Sequence, residues 1–212
     1  MKIERLEPSK HRKGRILLFL EDGTLLKITE QELLDFGLRV GEDLNEETLE
    51  KLNTSASGSN ARAAAAAMVG RRAMSRADLE KKLRDKGAST NDARYAAEWL
   101  EAVGALNDAD YAAMLVRHCA DMGYGPARCR EELRRHGLNR ELWDEALEQA
   151  PEPADLIDRY LASRLRGKEP DQRELKRVSD ALLRRGFCWG DVKDALRRYE
   201  ADTFDEGKAE MT

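Results

Sequence analysis

Three copies of one short pattern constrain this chain more than any other feature. The stretches LEKKLRDKG, CREELRRHG and SDALLRRG each place a leucine four residues before a glycine, at Leu83/Gly87, Leu133/Gly137 and Leu182/Gly186. The glycines stand 50 and 49 residues apart, which reads as an internal repeat. Glycine accepts the left-handed conformation that closes a helix, so each is expected at a C-cap. On this reading each unit opens with a basic helix.

Apolar residues at three- and four-residue intervals mark the other helices: Ala96, Leu100 and Val103; Tyr111, Leu115, Cys119 and Met122; Ile157, Tyr160, Leu161 and Leu165; Val192, Leu196 and Tyr199. Ser75-x-x-Asp78 and Asp171-x-x-Glu174 have the spacing of helix starts. Charged residues make up 37% of the chain and aromatics only 6%, with five prolines, a mixture that favours solvated helices over a strand-rich sandwich. The expected fold is mainly α: tandem three-helix repeats in an elongated array, with a small N-terminal β-hairpin/helix module.

That module occupies residues 1–52. GRILLFLEDGTLLKIT flanks Asp22-Gly23 with two apolar runs, as in a tight hairpin. Thr29-x-x-Glu32 has capping-box spacing, and NEETLEKLN reads as a short helix. The small polar run NTSASGSN, residues 53–60, reads as a linker. The repeats then fall at 61–123, 124–168 and, as a partial unit, 169–203, followed by a polar tail at 204–212.

The stretch ALNDADYAAMLV gathers Asn107, Asp108 and Asp110. A calcium loop begun at Asp108 needs an oxygen ligand at its fifth position, glycine at the sixth and a carboxylate at the twelfth, and here meets Ala112, Ala113 and Cys119. No companion group for acid-base chemistry lies nearby. The residues fit a helix start, with Asn107 as cap and the two carboxylates in the first turn. His118 and Cys119 point about 100° apart on a helix and form no metal pair. Three cysteines without Cys-x-x-Cys spacing exclude a disulfide framework and a zinc knuckle and read as reduced, buried thiols, with Cys129 a small hydrophobe. Trp99, Trp143 and Trp189 read as packing residues. The glycines form neither a nucleotide loop nor a nucleophile elbow. The expectation is a protein that is not an enzyme, with no catalytic residue, metal or cofactor.

Net charge is -4, so any anion-binding surface must be local. From Arg71 to Lys86 seven basic residues face three acidic ones, and the second and third basic helices also carry a positive balance. A positive helix in successive units matches a polyanion or an acidic surface that repeats along a track. No apolar stretch reaches the roughly 20 residues that cross a bilayer, and MKIERLEPSK lacks a signal core, so a cytoplasmic protein with no membrane partner is expected.

MSRADLEKKLRDKG, WLEAVGALNDADYAAMLV and GYGPARCREELRRHGL, in that order, resemble a RecX-family regulator of the RecA recombinase over about residues 61–200. Cys129 stands where the family usually has an aliphatic residue. The resemblance implies a chain of three-helix repeats that settles along RecA filaments on single-stranded DNA. It also implies limits on RecA's ATP hydrolysis, strand exchange and co-protease action, in recombinational repair and control of the SOS response. RecA is then the expected partner of a monomer, with weak direct DNA contact. By charge and placement the expected contacts are Arg72, Arg76, Lys81, Lys82, Arg84, Arg128, Arg130, Arg134, Arg135, Arg177, Arg184 and Arg185. A free-standing DNA-binding protein using a helix-turn-helix-like unit is the alternative.

Overall fold

A computed structural model describes residues 1–10, 12–165 and 170–209, and side chains through residue 200. The chain divides into two compact units, Met1–Leu106 and a second beginning at Asn107.

The first unit begins with an antiparallel sheet of order β1-β2-β3, formed by Ile3–Pro8 (β1), Arg15–Leu20 (β2) and Leu25–Thr29 (β3). The expected hairpin is β2–β3. Gly23 takes φ +86°, and Asp22 accepts hydrogen bonds from the Thr24 amide and hydroxyl at 2.9 and 2.8 Å. β1 adds a strand that the sequence reading did not include, and its alternation is poor because only Ile3 is buried. Helix α1 (Glu30–Asp35) starts at the capping box of Thr29 and Glu32.

Residues 53–60 are not a linker. They lie inside one continuous helix, α2, Glu46–Val69, capped by Asn45. Its first half sends Leu52 and Ala56 into the sheet core beside Leu18, Leu20 and Ile28. Its second half sends Ala61 and Ala65 into a different core with Leu79, Leu83 and Leu100. The small polar residues between are contact points. Ser55 donates to Glu32 at 2.7 Å, Ser57 to Asp92 at 2.6 Å, and Asn60 to the Lys27 carbonyl at 2.7 Å. Short side chains let the helix approach both neighbours closely, and a hydrogen bond at each approach offsets the cost of desolvation. Helices α3 (Arg76–Asp85) and α4 (Thr90–Ala102) complete this three-helix bundle. Ser75 and Ser89 cap them.

The second unit holds two more bundles. Helices α5 (Asp108–Asp121), α6 (Pro126–Arg135) and α7 (Trp143–Glu148, after a 3-10 turn at Arg140–Leu142) enclose Tyr111, Leu115, Val116, Leu133, Leu138 and Ala146. Helices α8 (Pro153–Leu165), α9 (Gln172–Arg184) and α10 (Trp189–Ala209) enclose Ile157, Leu161, Val178, Leu182, Phe187 and Val192.

The repeated glycines do close helices. Gly87, Gly137 and Gly186 have φ of +90°, +67° and +89°. In each case the following amide returns to the leucine carbonyl: Ala88 to Leu83 at 3.0 Å, Leu138 to Leu133 at 3.2 Å, Phe187 to Leu182 at 3.2 Å. Those leucines are at most 1% exposed. The phase of the repeat is corrected, however. Each basic helix is the middle one of its bundle, α5 packs with α6 and α7 rather than with α3 and α4, and the third unit has three helices, with α10 running through the first part of the expected tail.

Bundles two and three meet by close backbone contact. The Gly125 amide donates to the Arg185 carbonyl at 2.8 Å and the Ala127 amide to the Gly186 carbonyl at 3.1 Å. A Cβ on Gly125 would lie 2.5 Å from the Gly186 oxygen, and one on Gly186 2.5 Å from the Arg128 nitrogen.

Candidate functional site on the basic helices

Three smaller expectations meet the structure first. Asn107 caps α5, accepting from the Ala109 and Asp110 amides at 3.0 and 3.3 Å, with Asp108 and Asp110 in the first turn. Cys119 and Cys129 are buried at 2% and 3% exposure. Burial pushes both thiols up, Cys129 to about 12, so they pack as neutral small groups. Cys188, by contrast, is exposed, and its Sγ accepts from the Asp191 amide at the start of α10. Two tryptophans are corrected. Trp143 packs, donating from Nε1 to the Leu138 carbonyl at 3.1 Å, but Trp99 and Trp189 are 41% and 56% exposed. They lie on third helices whose inward positions are held by alanine, leucine and valine, so the large rings are left outside.

The twelve candidate cations divide into two classes. Arg76 is a structural hub at the start of α3, reaching Glu80 at 2.9 Å, Glu101 at 2.6 Å and Glu98 at 3.4 Å. Burial opposes its charge, yet these carboxylates more than offset burial and raise its pKa. Arg84 lies 3.7 Å from Glu80. On α6, Arg128 pairs with Glu131 at 2.7 Å and Glu132 at 3.1 Å, while Arg135 pairs with Glu132 at 2.5 Å. Glu131 is the main cause of Arg128's raised pKa. Arg185 donates to the Met122 and Gly123 carbonyls at 2.9 and 3.1 Å and lies 5.0 Å from the Tyr160 ring centre. It satisfies the carbonyl end of α5 and joins bundles two and three.

Arg72, Lys81, Arg130, Arg134, Arg177 and Arg184 are exposed and have no ion-pair partner among the described residues. Lys82 is half-buried and likewise has none. Arg173 and Lys176 on α9 count toward that helix's positive balance and have the same character, but lie outside the twelve candidates, because pairing and exposure are invisible in the sequence. These cations recur by helix and not by register. Counted back from the closing glycine they occupy different positions in α3, α6 and α9. Arg134 and Arg184 also sit in last turns, where the helix dipole favours positive charge. Within each bundle the arrangement offers isolated point charges on the middle helix. Such groups suit carboxylates or phosphates on a partner.

Comparison with known proteins bears on what that partner is. Residues 107–147, covering α5 to α7, match a family model described as the second three-helix domain of RecX. Regulatory protein RecX of Pseudomonas putida (strain W619) is 41% identical over 80 residues, which span 38% of this chain and 51% of that protein. Regulatory protein RecX of Xanthomonas oryzae pv. oryzae (strain MAFF 311018) is 34% identical over 132 residues, spanning 60% of this chain and 81% of that one. A crystal structure of regulatory protein RecX superposes with a TM-score of 0.67 at 26% identity, covering 91% of this chain and 98% of the other. RecX from Lactobacillus salivarius shares the fold, with a TM-score of 0.62 at 17% identity. With three glycine-closed bundles and a relative matched over four fifths of its length, this chain belongs to the RecX family of regulatory proteins.

Proposed function

We propose that this protein binds RecA, free and as filaments on single-stranded DNA, and lowers RecA's ATP hydrolysis, strand exchange and co-protease action. It would thereby restrain recombinational repair and the SOS response. The observation that supports the surface is the presence of unpaired cations on the middle helix of every bundle: Lys81 and Lys82, Arg130 and Arg134, Arg177 and Arg184. Family membership supports a regulatory role, and the resemblance implies RecA as the partner. The protein acts as a monomer in the cytoplasm, by binding and not by catalysis, and needs no cofactor of its own. No helix among the described residues is long and apolar enough to cross a membrane.

Binding should be dominated by protein contact. The net charge of -4 opposes approach to bare polyanions, and five of the twelve candidate cations are already held by this chain's own carboxylates or carbonyls. Sedimentation with RecA filaments on single-stranded DNA tests this directly. Retention on filaments with little binding to bare DNA is expected. Tight binding to bare DNA, falling steeply with salt and indifferent to RecA, would favour the free-standing DNA-binding alternative.

A further inference from the structure

The N-terminal sheet, α2 and the end of α3 line a half-open cavity of about 830 Å³ that none of the candidate residues above reaches. Four exposed cations line it: Lys10 and Arg12 from the β1–β2 connection, Lys27 from β3 and Lys86 from the end of α3. None has an ion-pair partner among the described residues. The one carboxylate in the lining, Glu7, is 3.2 Å from Arg5. A fifth cation, Arg15, is bound to the Ser59 hydroxyl and carbonyl at 2.8 and 2.7 Å. Burial depresses its pKa, Glu32 opposes that, and Arg12 depresses it further, as expected where like charges gather without enough counter-charge.

The chemistry of the walls narrows the occupant. A single small anion cannot meet cations carried by three separate segments across so wide a space. The apolar part of the lining is aliphatic, with Pro8, Leu17 and Leu25, the last 44% exposed. Among the described lining residues none is aromatic, so the cavity lacks the stacking platform by which proteins hold single-stranded nucleic acid. Carboxylates for the rim and aliphatic groups for the floor occur together in an acidic, leucine-bearing peptide.

We propose that this cavity is a docking site for an acidic, aliphatic peptide segment of a partner protein, with Lys10, Arg12, Lys27 and Lys86 meeting its carboxylates and Leu17 and Leu25 its apolar side chains. The site uses none of the twelve candidate cations, though Lys86 closes the first basic helix, and it does not rest on the RecA reading.

The test is fluorescence anisotropy with the full chain and a short labelled peptide of alternating glutamate and leucine. Saturable binding is expected, weakened about tenfold by the double substitution Lys27→Glu and Lys86→Glu. It should be lost when glutamine replaces glutamate in the peptide, and weakened by Leu25→Ser. All three positions are exposed, so an unchanged melting curve should show that the fold is kept. No saturable binding, or binding indifferent to the double substitution, would overturn the proposal. So would an oligothymidylate that competes with the peptide and shows the same sensitivity, which would make this a nucleic-acid surface.

Discussion

At Glu32 burial and hydrogen bonding pull the carboxyl in opposite directions, and hydrogen bonding wins. The residue is 6% exposed, which alone would raise its pKa. The Thr29 amide at 2.7 Å and the Ser55 and Ser59 hydroxyls at 2.7 and 3.3 Å bring it below the ordinary glutamate range. The ionised form therefore stabilises the fold fully above the unfolded pKa, and that contribution is lost as pH falls through the lower folded value. In urea titrations Glu32→Ala should cost about 1.5–3 kcal/mol near pH 7, with the gap from wild type closing under acid. The capping role was legible from the Thr29-x-x-Glu32 spacing, whereas Ser55 and Ser59 are brought in only by the fold. Glycine gives a second residue-scale contrast. Gly87 and Gly186 have nearly equal φ, but a Cβ meets nothing within 4 Å at Gly87 and backbone at 2.5 Å at Gly186. Gly87→Ala should cost about 1–2 kcal/mol from backbone strain. Gly186→Ala should cost about 1–3 kcal/mol more, because bundles two and three must separate to admit it.

Helices α2 and α5 show where reading at the level of elements succeeds and where it stops. Asn107 was recognisable as the α5 cap because capping is set by residues adjacent in the chain, and Asn107→Ala should lower thermal stability by about 1 kcal/mol. In α2, serine, glycine and asparagine looked like a break because their helix propensity is weak. Tertiary contacts to Glu32, Asp92 and Lys27 overrode that weakness. The repeat period was legible too, yet its phase was not. A pattern recurring every 50 residues is unchanged when the unit is started at the first, second or third helix. Only the burial pattern, with Leu106 closing one core and Tyr111 opening the next, shows where a bundle begins.

Over the whole molecule, charge was easier to count than to assign. The sequence identifies each arginine and lysine on α3, α6 and α9, but Arg76 and Arg185 tie helices together, Arg128 is paired within its own helix, and Lys81, Arg130 and Arg134 have no ion-pair partner among the described residues. The cavity in the N-terminal unit was not legible at all, because its four cations come from three segments between residues 10 and 86. The central claim, regulation of RecA through the free cations, is tested most directly by RecA's single-stranded-DNA-dependent ATP hydrolysis. RecA from the same organism would be used, with this protein titrated in well below the RecA concentration. The account predicts inhibition at those ratios, and at least about a tenfold weaker effect when Lys81, Lys82, Arg130 and Arg134 are all changed to glutamate. An unaltered rate with the wild-type chain, or equal inhibition by the charge-reversed variant, would contradict it.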